Sequence, residues 1–323
     1  MRCLVTGGAG FIGSSLVDRL LALGEEVICF DNFDTGLVQF LSDAKENKRF
    51  TLVKGDTLDM AALKSAMKGC DIVFHLAANA DVRFGSQHPR KDLEQNTIAT
   101  HNVLSCMKET GVRRIAFSST GSVYGEATII PTPEDAPFPV QTSLYGASKL
   151  ACEGLIAAFC EAYDFQSWIF RFVSILGERY THGHVFDFYR QLSTDSGKLS
   201  VLGDGTQKKS YIYVQDCIDA ILLAIRKAQG KVNVFNLGTD EYVEVKDSIR
   251  VITEELGVKP TLSFAGGSRG WIGDNPFILL ACSRIRALGW APKFSIKEGI
   301  VRTVRFLKAN DWVFAARETP AWS

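Results

Sequence analysis

The sequence predicts an α/β protein with a doubly wound parallel sheet and a smaller, interleaved C-terminal region. Short apolar runs alternate with stretches whose apolar residues recur at helical spacing. Strand alternating with helix indicates a parallel sheet covered by helices on both faces. Several runs lack polar alternation, as expected of strands that are buried on both faces. A chain of 323 residues, 46% of them hydrophobic, fits one large domain or two coupled ones.

The individual elements follow from these patterns in chain order. The predicted strands, rich in β-branched and aromatic residues, are Cys3–Val5, Glu26–Phe30, Phe50–Val53, Ile72–Leu76, Ile115–Ser118 and Trp168–Val173. A helix is predicted between Gly10 and Gly24, because the apolar residues there form one stripe and a glycine ends it. Val103–Met107 and Leu144–Ala162 carry similar helical stripes.

The C-terminal half is less regular. Four prolines in Pro131–Gln141 indicate an extended loop, and Asn233–Gly238 is predicted to add one more buried strand to the sheet. We therefore expect a first domain over residues 1–173 that also receives this strand. The second domain is mainly 174–323 and discontinuous, built from about 174–209 and 239–323.

Composition excludes several classes of function. The chain has 36 basic and 36 acidic residues, and this balance argues against a dedicated nucleic-acid binder. It has no apolar run of 18 or more residues, so no membrane span is expected. The eight cysteines are scattered without a Cys-x-x-Cys pair, which predicts buried free thiols and a reducing, cytoplasmic compartment for a chain without an N-terminal signal pattern. The histidines show no metal-ligand spacing, so no metal is expected.

A glycine triplet marks the first candidate site. Gly7, Gly10 and Gly13 follow the first predicted strand and open the first predicted helix. In that context the glycines permit a tight turn, close approach to a pyrophosphate and close packing of helix on strand. The first helical amides, at Phe11 and Ile12, then face the phosphates. The sequence therefore predicts a Rossmann-type site for a dinucleotide.

Asp31 at the end of the second strand selects the dinucleotide. A carboxylate at this position accepts hydrogen bonds from ribose hydroxyls and repels the 2′-phosphate of NADP. No arginine immediately follows the glycines or Asp31. We therefore expect NAD as the cofactor, with Asn32 beside it.

Tyr145 and Lys149 form the second candidate site. They are four residues apart in the helical stripe near Leu144, so both project from one face. An ammonium or a positive nicotinamide near the phenol favours the phenolate and lowers the pKa of Tyr145, which makes it a candidate base. Ser118 and Thr120 end the fifth strand, where hydroxyls face the ligand crevice of a parallel sheet.

Taken together, these motifs resemble the extended short-chain dehydrogenase/reductase family. Within it the chain is similar to NAD-dependent nucleotide-sugar epimerases of the UDP-glucose 4-epimerase type. The segments that carry the likeness are Gly7/Gly10/Gly13, Asp31, His75-Leu-Ala-Ala78, Ser118-Ser-Thr120, Tyr145 with Lys149, Gly203-Asp-Gly-Thr-Gln207, Tyr213-Val-Gln-Asp216, Arg269 with Gly273-Asp274, and Leu288-Gly-Trp290 with Pro292.

The resemblance implies roles for individual residues. Thr120, Tyr145 and Lys149 would be catalytic, and Lys149 would also bind the nicotinamide ribose. Asp56 and Thr57 match the adenine side, with a helix cap leading to Asp59 as the alternative or additional role. The other implied cofactor residues are Leu76, Ala77, Ala78, Asn96 and Ser118. The implied substrate residues are Thr120, Ser122, Tyr145, Ser174, Lys209, Arg269 and Asp274. Arg83 is a further candidate for contact with the sugar or diphosphate, with a plain surface role as the alternative.

Two departures from the family pattern concern the substrate's diphosphate. Ser174 stands where relatives usually have asparagine, and Lys209 stands where they often have arginine. Lysine cannot form the bidentate fork that arginine makes with phosphate. UDP is expected from the resemblance, while GDP and CDP stay open, and the sequence does not identify the sugar.

The residues after Thr120 separate the reactions that share this scaffold. Relatives that eliminate the 6-hydroxyl place Asp-Glu there, and decarboxylating relatives place Glu second; this chain has Gly121-Ser122. We therefore expect C4 epimerisation of a UDP-glucose/UDP-galactose type hexose. A 4-keto-sugar reductase and a non-catalytic NAD-binding protein are the alternatives. The resemblance further implies a homodimer that pairs the helix of Tyr145 with the helix around Asn96–Lys108.

Overall fold

The computed structural model describes residues 1–79, 85, 87–138, 140–267 and 277–318. Its centre is a sheet of seven strands, β1 (Arg2–Thr6), β2 (Glu26–Asp31), β3 (Phe50–Lys54), β4 (Ile72–His75), β5 (Arg114–Thr120), β6 (Gln166–Phe172) and β11 (Val232–Leu237). All seven are parallel, in the order β11-β6-β5-β4-β1-β2-β3. This confirms the predicted class and the seven predicted strands.

Helices cover both faces of the sheet, because the apolar stripes need a partner on each side, and further helices belong to the C-terminal region. The helices of the described residues are α1 (Phe11–Ala22), α2 (Ser42–Lys45), α3 (Met60–Met67), α4 (Pro89–Asp92), α5 (Ala99–Thr110), α6 (Leu144–Tyr163), α7 (His184–Thr194), α8 (Val214–Lys227), α9 (Val245–Leu256), α10 (Ser283–Ala287), α11 (Ile296–Ala309) and α12 (Trp312–Glu318). A π-helical segment, Leu93–Ile98, joins α4 to α5, and 3₁₀ turns occupy Val38–Leu41 and Gly121–Tyr124.

Two apolar cores lie on opposite faces of the sheet. One packs α3, α5 and α6 against it, with Leu63, Val103 and Ile156 fully buried. The other packs α1 and α8 against the opposite face and continues into the C-terminal region. Burial of this apolar surface is the main favourable contribution to folding, and it fixes α6 over the ends of β5 and β6.

The C-terminal region is held together by short strand pairs. They are β7 (Ser174–Leu176) with β10 (Tyr211–Tyr213), β8 (Lys198–Val201) with β13 (Thr261–Phe264), and β9 (Lys208–Lys209) with β12 (Val243–Glu244). Two of these pairs join 174–209 to 239–323, the two stretches that the sequence analysis assigns to one discontinuous domain. The chain between them returns to the central sheet as β11, which makes the region interleaved.

All eight cysteines are buried and free, as predicted. Across the described ranges, no helix is both long and apolar enough to cross a membrane. Within the same residues, no cluster of three or more His, Cys, Asp or Glu side chains has the arrangement of a metal site.

Candidate active site

A cleft opens at the carboxyl ends of β1 and β4, where the strand order reverses. This topological switch point is where doubly wound sheets bind their ligands. Gly7 has a positive φ of 69°, and a Cβ there would lie 2.7 Å from the backbone nitrogen of Ala77. A Cβ on Gly13 would lie 2.0 Å from the carbonyl oxygen of Gly7. The glycines thus form a cradle that side chains would fill, and residues around it fit a dinucleotide.

Asp31 is buried beneath the loop that follows β2. Its carboxylate accepts hydrogen bonds from the backbone amides of Ala9 (2.9 Å) and Phe33 (2.8 Å). Burial raises the pKa of Asp31, while these two bonds lower it. Asn32 donates to Asp56 (2.9 Å), which ties the ends of β2 and β3 together at one rim of the cleft.

Asp56 serves a local turn, and the helix cap is a different residue. The carboxylate of Asp56 accepts from the amide of Leu58 (2.8 Å). Asp59 caps α3 by accepting from the amides of Ala61 and Ala62. The cap that the sequence analysis weighed as an alternative is therefore present, while Thr57 lines the cleft and Asp56 does not.

Most of the predicted cofactor residues meet in this cleft. Those lining it are Gly7, Gly10, Phe11, Ile12, Gly13, Asp31, Asn32, Thr57, Leu76, Ala77, Ala78 and Ser118. Asn96, Tyr145 and Lys149 do not line it. Sequence reasoning missed the lining residues Asp34, Thr35, Gly36, Asn79, Lys91, Gln95 and Thr181. The first three directly follow Asn32-Phe33, so extending the loop would have found them.

One missed pair spans the mouth of the cleft. Lys91 on α4 lies 3.5 Å from Asp34 on the loop after β2. Both side chains line the cleft, so the pair joins its two walls. No sequence pattern predicts such a contact, because it depends on the relative placement of two separate elements.

Thr120, Tyr145 and Lys149 come from two elements that meet beside the cleft. Thr120 ends β5 and caps the following 3₁₀ turn, accepting from the amide of Ser122 (3.1 Å). The Thr120 side chain lies close enough to the Tyr145 hydroxyl to lower the pKa of that phenol. Lys149, one turn further along α6, donates to the carbonyl oxygen of Ser118 (2.8 Å). The three predicted catalytic residues therefore form one group.

The expected pKa of Tyr145 needs correction. Burial is the largest effect and raises it well above the usual value; the nearby Asp92 raises it further, and the hydrogen bond with Thr120 lowers it. Lys149, only 2% exposed, has its own pKa lowered to about 8 by burial. Without the cofactor, the pKa of Tyr145 is therefore raised and not lowered as predicted, because desolvation of the phenol is the dominant effect. The nicotinamide charge was the other predicted contribution.

Asn96 lies behind this group in a π-helical segment, a feature that often marks functional sites. Its side-chain oxygen accepts from the amide of Asn79 (2.8 Å), and its side-chain nitrogen donates to Ser148 (2.9 Å) and Asp92 (3.3 Å). Ser148 in turn donates to the carbonyl oxygen of Tyr145 (2.8 Å). The structure thus places Asn96 as a brace between the cleft wall and α6.

The predicted substrate residues are partly described. Ser174 is exposed and pairs with Tyr211 between β7 and β10. Lys209 lies close enough to His184 to lower its pKa, after burial as the larger cause, to about 3, and His184 hydrogen-bonds Tyr211 (2.7 Å). Ser174, Lys209 and His184 therefore share one part of the C-terminal region. Three other predicted substrate residues, Arg83, Arg269 and Asp274, lie outside the described residues.

The turn after Thr120 is closed to side chains at its first position. A Cβ on Gly121 would lie 2.8 Å from the side chain of Ile278 and 3.3 Å from the carbonyl oxygen of Phe172. The second position holds Ser122, which is half-buried and accepts a hydrogen bond from Thr120 (3.2 Å). The turn offers hydroxyls and no carboxylate to a substrate.

Comparisons with known proteins identify relatives of the chain. The NAD dependent epimerase/dehydratase family matches residues 3–238. The UDP-glucose 4-epimerase of Mycolicibacterium smegmatis is 32% identical over 315 residues, covering 95% of this chain and 99% of that protein.

Solved structures share the fold across reactions. A UDP-galactose 4-epimerase superposes with a TM-score of 0.87 at 34% identity, covering 97% of this chain and 100% of that one. A double mutant of DesIV, a dTDP-glucose 4,6-dehydratase from Streptomyces venezuelae with NAD bound, has a TM-score of 0.89 at 26% identity, covering 98% and 100%. Fold similarity alone therefore does not separate epimerisation from elimination.

Proposed function

Because the chain belongs to the NAD-dependent epimerase/dehydratase family, we propose that it inverts C4 of a nucleotide-linked hexose of the UDP-glucose/UDP-galactose type through a transient 4-keto sugar. The observation that carries this proposal is the turn after Thr120. Elimination requires an added acid/base pair, and a side chain at Gly121 would have to displace that of Ile278. Ser122 supplies a hydroxyl where a carboxylate would be needed. Simple inversion requires only a base at O4 and a hydride acceptor, which this site can provide.

NAD is the cofactor of this family, and the glycine cradle with Asp31 would hold it. When bound, it would supply the redox chemistry by accepting and returning the C4 hydride. The amides at the start of α1 would bind the pyrophosphate, and the buried carboxylate of Asp31 would accept hydrogen bonds from the ribose hydroxyls.

The protein's own residues manage the proton and the position of the sugar. Tyr145 takes the proton from O4 and later returns it, while Thr120, which lies beside the Tyr145 hydroxyl, binds the sugar hydroxyl and aligns it. Lys149, held by the Ser118 carbonyl, directs its charge toward the reacting groups. Between the two half-reactions the 4-keto sugar turns about its diphosphate link, so the contacts to the sugar must be few and adaptable.

The diphosphate is assigned to the C-terminal region. We expect Lys209 to act as a point charge and Ser174 to offer one hydroxyl, with Arg83, Arg269 and Asp274 completing the site. The closeness of Lys209 to His184 and of Ser174 to Tyr211 supports a shared subsite. UDP is our first choice of nucleotide.

Quaternary structure and location follow the same proposal. Apolar side chains are exposed on the helical segments that would pair in a dimer. The exposed fraction is 51% for Leu93 and 41% for Ile98 before α5, and 47% for Leu144 at the start of α6. Ala151 and Ala158 on α6 are also exposed. An apolar face with small residues favours close approach of a second copy, so we propose a homodimer through these helices. The buried free cysteines fit a reducing compartment, and we place the protein in the cytoplasm.

Proton NMR of the purified protein tests the function. UDP-glucose, UDP-N-acetylglucosamine and UDP-glucuronate are incubated separately, with and without added NAD. Growth of the anomeric signal of one 4-epimer, without net NADH consumption, is the expected result. Replacing Tyr145 with Phe should abolish turnover while NAD stays bound. Stoichiometric NADH consumption with a 4-keto sugar would instead establish a reductase, and full activity of the Tyr145→Phe variant would refute the mechanism.

A further inference from the structure

A buried polar cluster lies behind the proposed catalytic group. We call it the Arg171 cluster, and its members are Ser119, Tyr124, Glu153, Arg171 and Asn236. Arg171 on β6 is 4% exposed, and Glu153 on α6 is 6% exposed. Their ion pair is bidentate: Nη2 and Nε of Arg171 lie 2.7 Å and 3.0 Å from the two carboxylate oxygens. The mechanism proposed above uses none of these groups.

The cluster contacts both elements that carry the catalytic residues. Glu153 follows Tyr145 and Lys149 at four-residue intervals, so the three lie along one face of α6. The same carboxylate accepts a hydrogen bond from Ser119, the neighbour of Thr120 on β5. One buried ion pair therefore connects the catalytic helix to the strand that presents Thr120.

Arg171 also fixes the turn that follows Thr120. Its Nη1 donates to the hydroxyl of Tyr124 (2.6 Å) and to the carbonyl oxygen of Glu134 (2.9 Å). Tyr124 is the last residue of the 3₁₀ turn that Thr120 caps, and its hydroxyl donates onward to Asn236 (2.9 Å). The side chain of Asn236 then holds the carbonyl oxygens of Thr132 and Ala281, which brace the neighbouring loop.

The geometry requires arginine. A planar guanidinium can bind a carboxylate with one edge and present two further N–H groups to other acceptors, whereas an ammonium is a single point charge. We infer that Arg171 is a positioning residue: through Glu153 and Tyr124 it holds α6 and the Thr120 turn in register, so that Thr120 and Tyr145 reach the same substrate hydroxyl. This inference rests on the proposed catalytic roles of those two residues.

Two variants test the inference, and they disturb the fold to different extents. Tyr124→Phe removes one hydroxyl and keeps the ring, and Arg171→Lys keeps the charge but loses the fork. The matched control is Tyr189→Phe, another buried tyrosine, whose hydroxyl bonds Asp311 (3.4 Å) away from the cluster. Each protein is assayed for kcat, KM, bound NAD and Tm, using the epimerisation of whichever UDP-sugar the wild type accepts.

We expect kcat to fall about tenfold in Tyr124→Phe and about a hundredfold in Arg171→Lys, since small misplacements of catalytic groups are costly. In both variants, KM and the amount of bound NAD should stay within about twofold of the wild-type values. The kcat of the control Tyr189→Phe should also stay within about twofold of wild type. The double variant Thr120→Ala/Tyr124→Phe should be no slower than Thr120→Ala alone, because both changes act through the same group.

The outcomes separate the two proposals. If the wild type epimerises no nucleotide sugar, the proposed function fails before any variant is considered. If the wild type is active and both variants keep its kcat, or if the double variant shows fully multiplied losses, Arg171 does not position Thr120 and the inference is overturned. If Arg171→Lys fails to fold, Tyr124→Phe and the double variant decide the question.

Discussion

Replacing Lys149 with Met is expected to inactivate the protein and, near neutral pH, to stabilise it. Lys149 is 2% exposed, and burial lowers its pKa from 10.5 to about 8. This difference corresponds to about 3 kcal/mol of unfavourable free energy for keeping the charge in the fold at about pH 7. Methionine has a similar length and carries no charge. Against the gain stands the lost hydrogen bond from the charged ammonium to the Ser118 carbonyl, which contributes about 2 kcal/mol. The variant should therefore be about 1 kcal/mol more stable near neutral pH.

The sign of the pH dependence follows from linkage. Below pH 8 the lysine is charged in both the folded and the unfolded chain, so the full penalty applies. Between about 8 and 10.5 the unfolded chain binds more protons at this residue, and the free energy of unfolding of the wild type rises with pH. Above that window both states are neutral and the penalty disappears. The advantage of Lys149→Met should thus fall by about 3 kcal/mol across the window.

Denaturant titrations of the NAD-free proteins at several pH values measure this advantage. The groups that titrate in both proteins cancel in the difference between variant and wild type, which isolates Lys149. Lys297→Met is the matched control, because it makes the same replacement at an exposed position on α11. A pH-independent difference for Lys149→Met, or a variant that is less stable at every pH, would refute the assigned burial penalty.

Two further predictions test the cleft and the proposed dimer. Gly13→Ala should lose bound NAD and about 1–3 kcal/mol of stability, because its Cβ would lie 2.0 Å from the Gly7 carbonyl oxygen; Gly299→Ala, whose Cβ would meet its nearest neighbour at 3.5 Å, should keep NAD. Absorbance of the bound cofactor and Tm distinguish these results. Leu144→Glu should convert the dimer to a monomer in light scattering, whereas Leu202→Glu, at a comparably exposed leucine on another surface, should not; a dimer that survives the first change places the interface elsewhere.

The sequence predicts the sheet well because each strand carries its own signal. Trp168–Val173, for example, is an uninterrupted apolar and aromatic run apart from Arg171, and such runs occur where helices cover both faces. Arg171 itself is the informative exception. A charged residue inside a buried strand must find a partner, but nothing in the local pattern identifies Glu153, which lies on α6 and meets Arg171 only after the helix packs across the sheet.

In the candidate site, too, some features follow from local sequence patterns and others depend on tertiary contacts. The glycine cradle and the spacing of Tyr145 and Lys149 are local patterns, so the sequence identifies them directly. The ion pair of Asp34 with Lys91 and the brace at Asn96 depend on tertiary contacts. The pKa of Tyr145 was mispredicted for the same reason, because spacing indicates which charges are near but not how completely the phenol is removed from water.

Burial at this site also bears on how the cofactor and the proton are coupled. Burial disfavours the ionised phenol of Tyr145 and the charged ammonium of Lys149 alike. A cation placed beside the phenol lowers its pKa, and by reciprocity the ionised phenol binds that cation more tightly. An oxidised nicotinamide is such a cation and its reduced form is neutral. In the proposed mechanism, the phenol of Tyr145 would therefore have a lower pKa and be more fully ionised beside the oxidised nicotinamide, ready to accept the proton of O4. Beside the neutral reduced form its pKa would be higher, so the phenol would retain that proton until the hydride returns to the sugar.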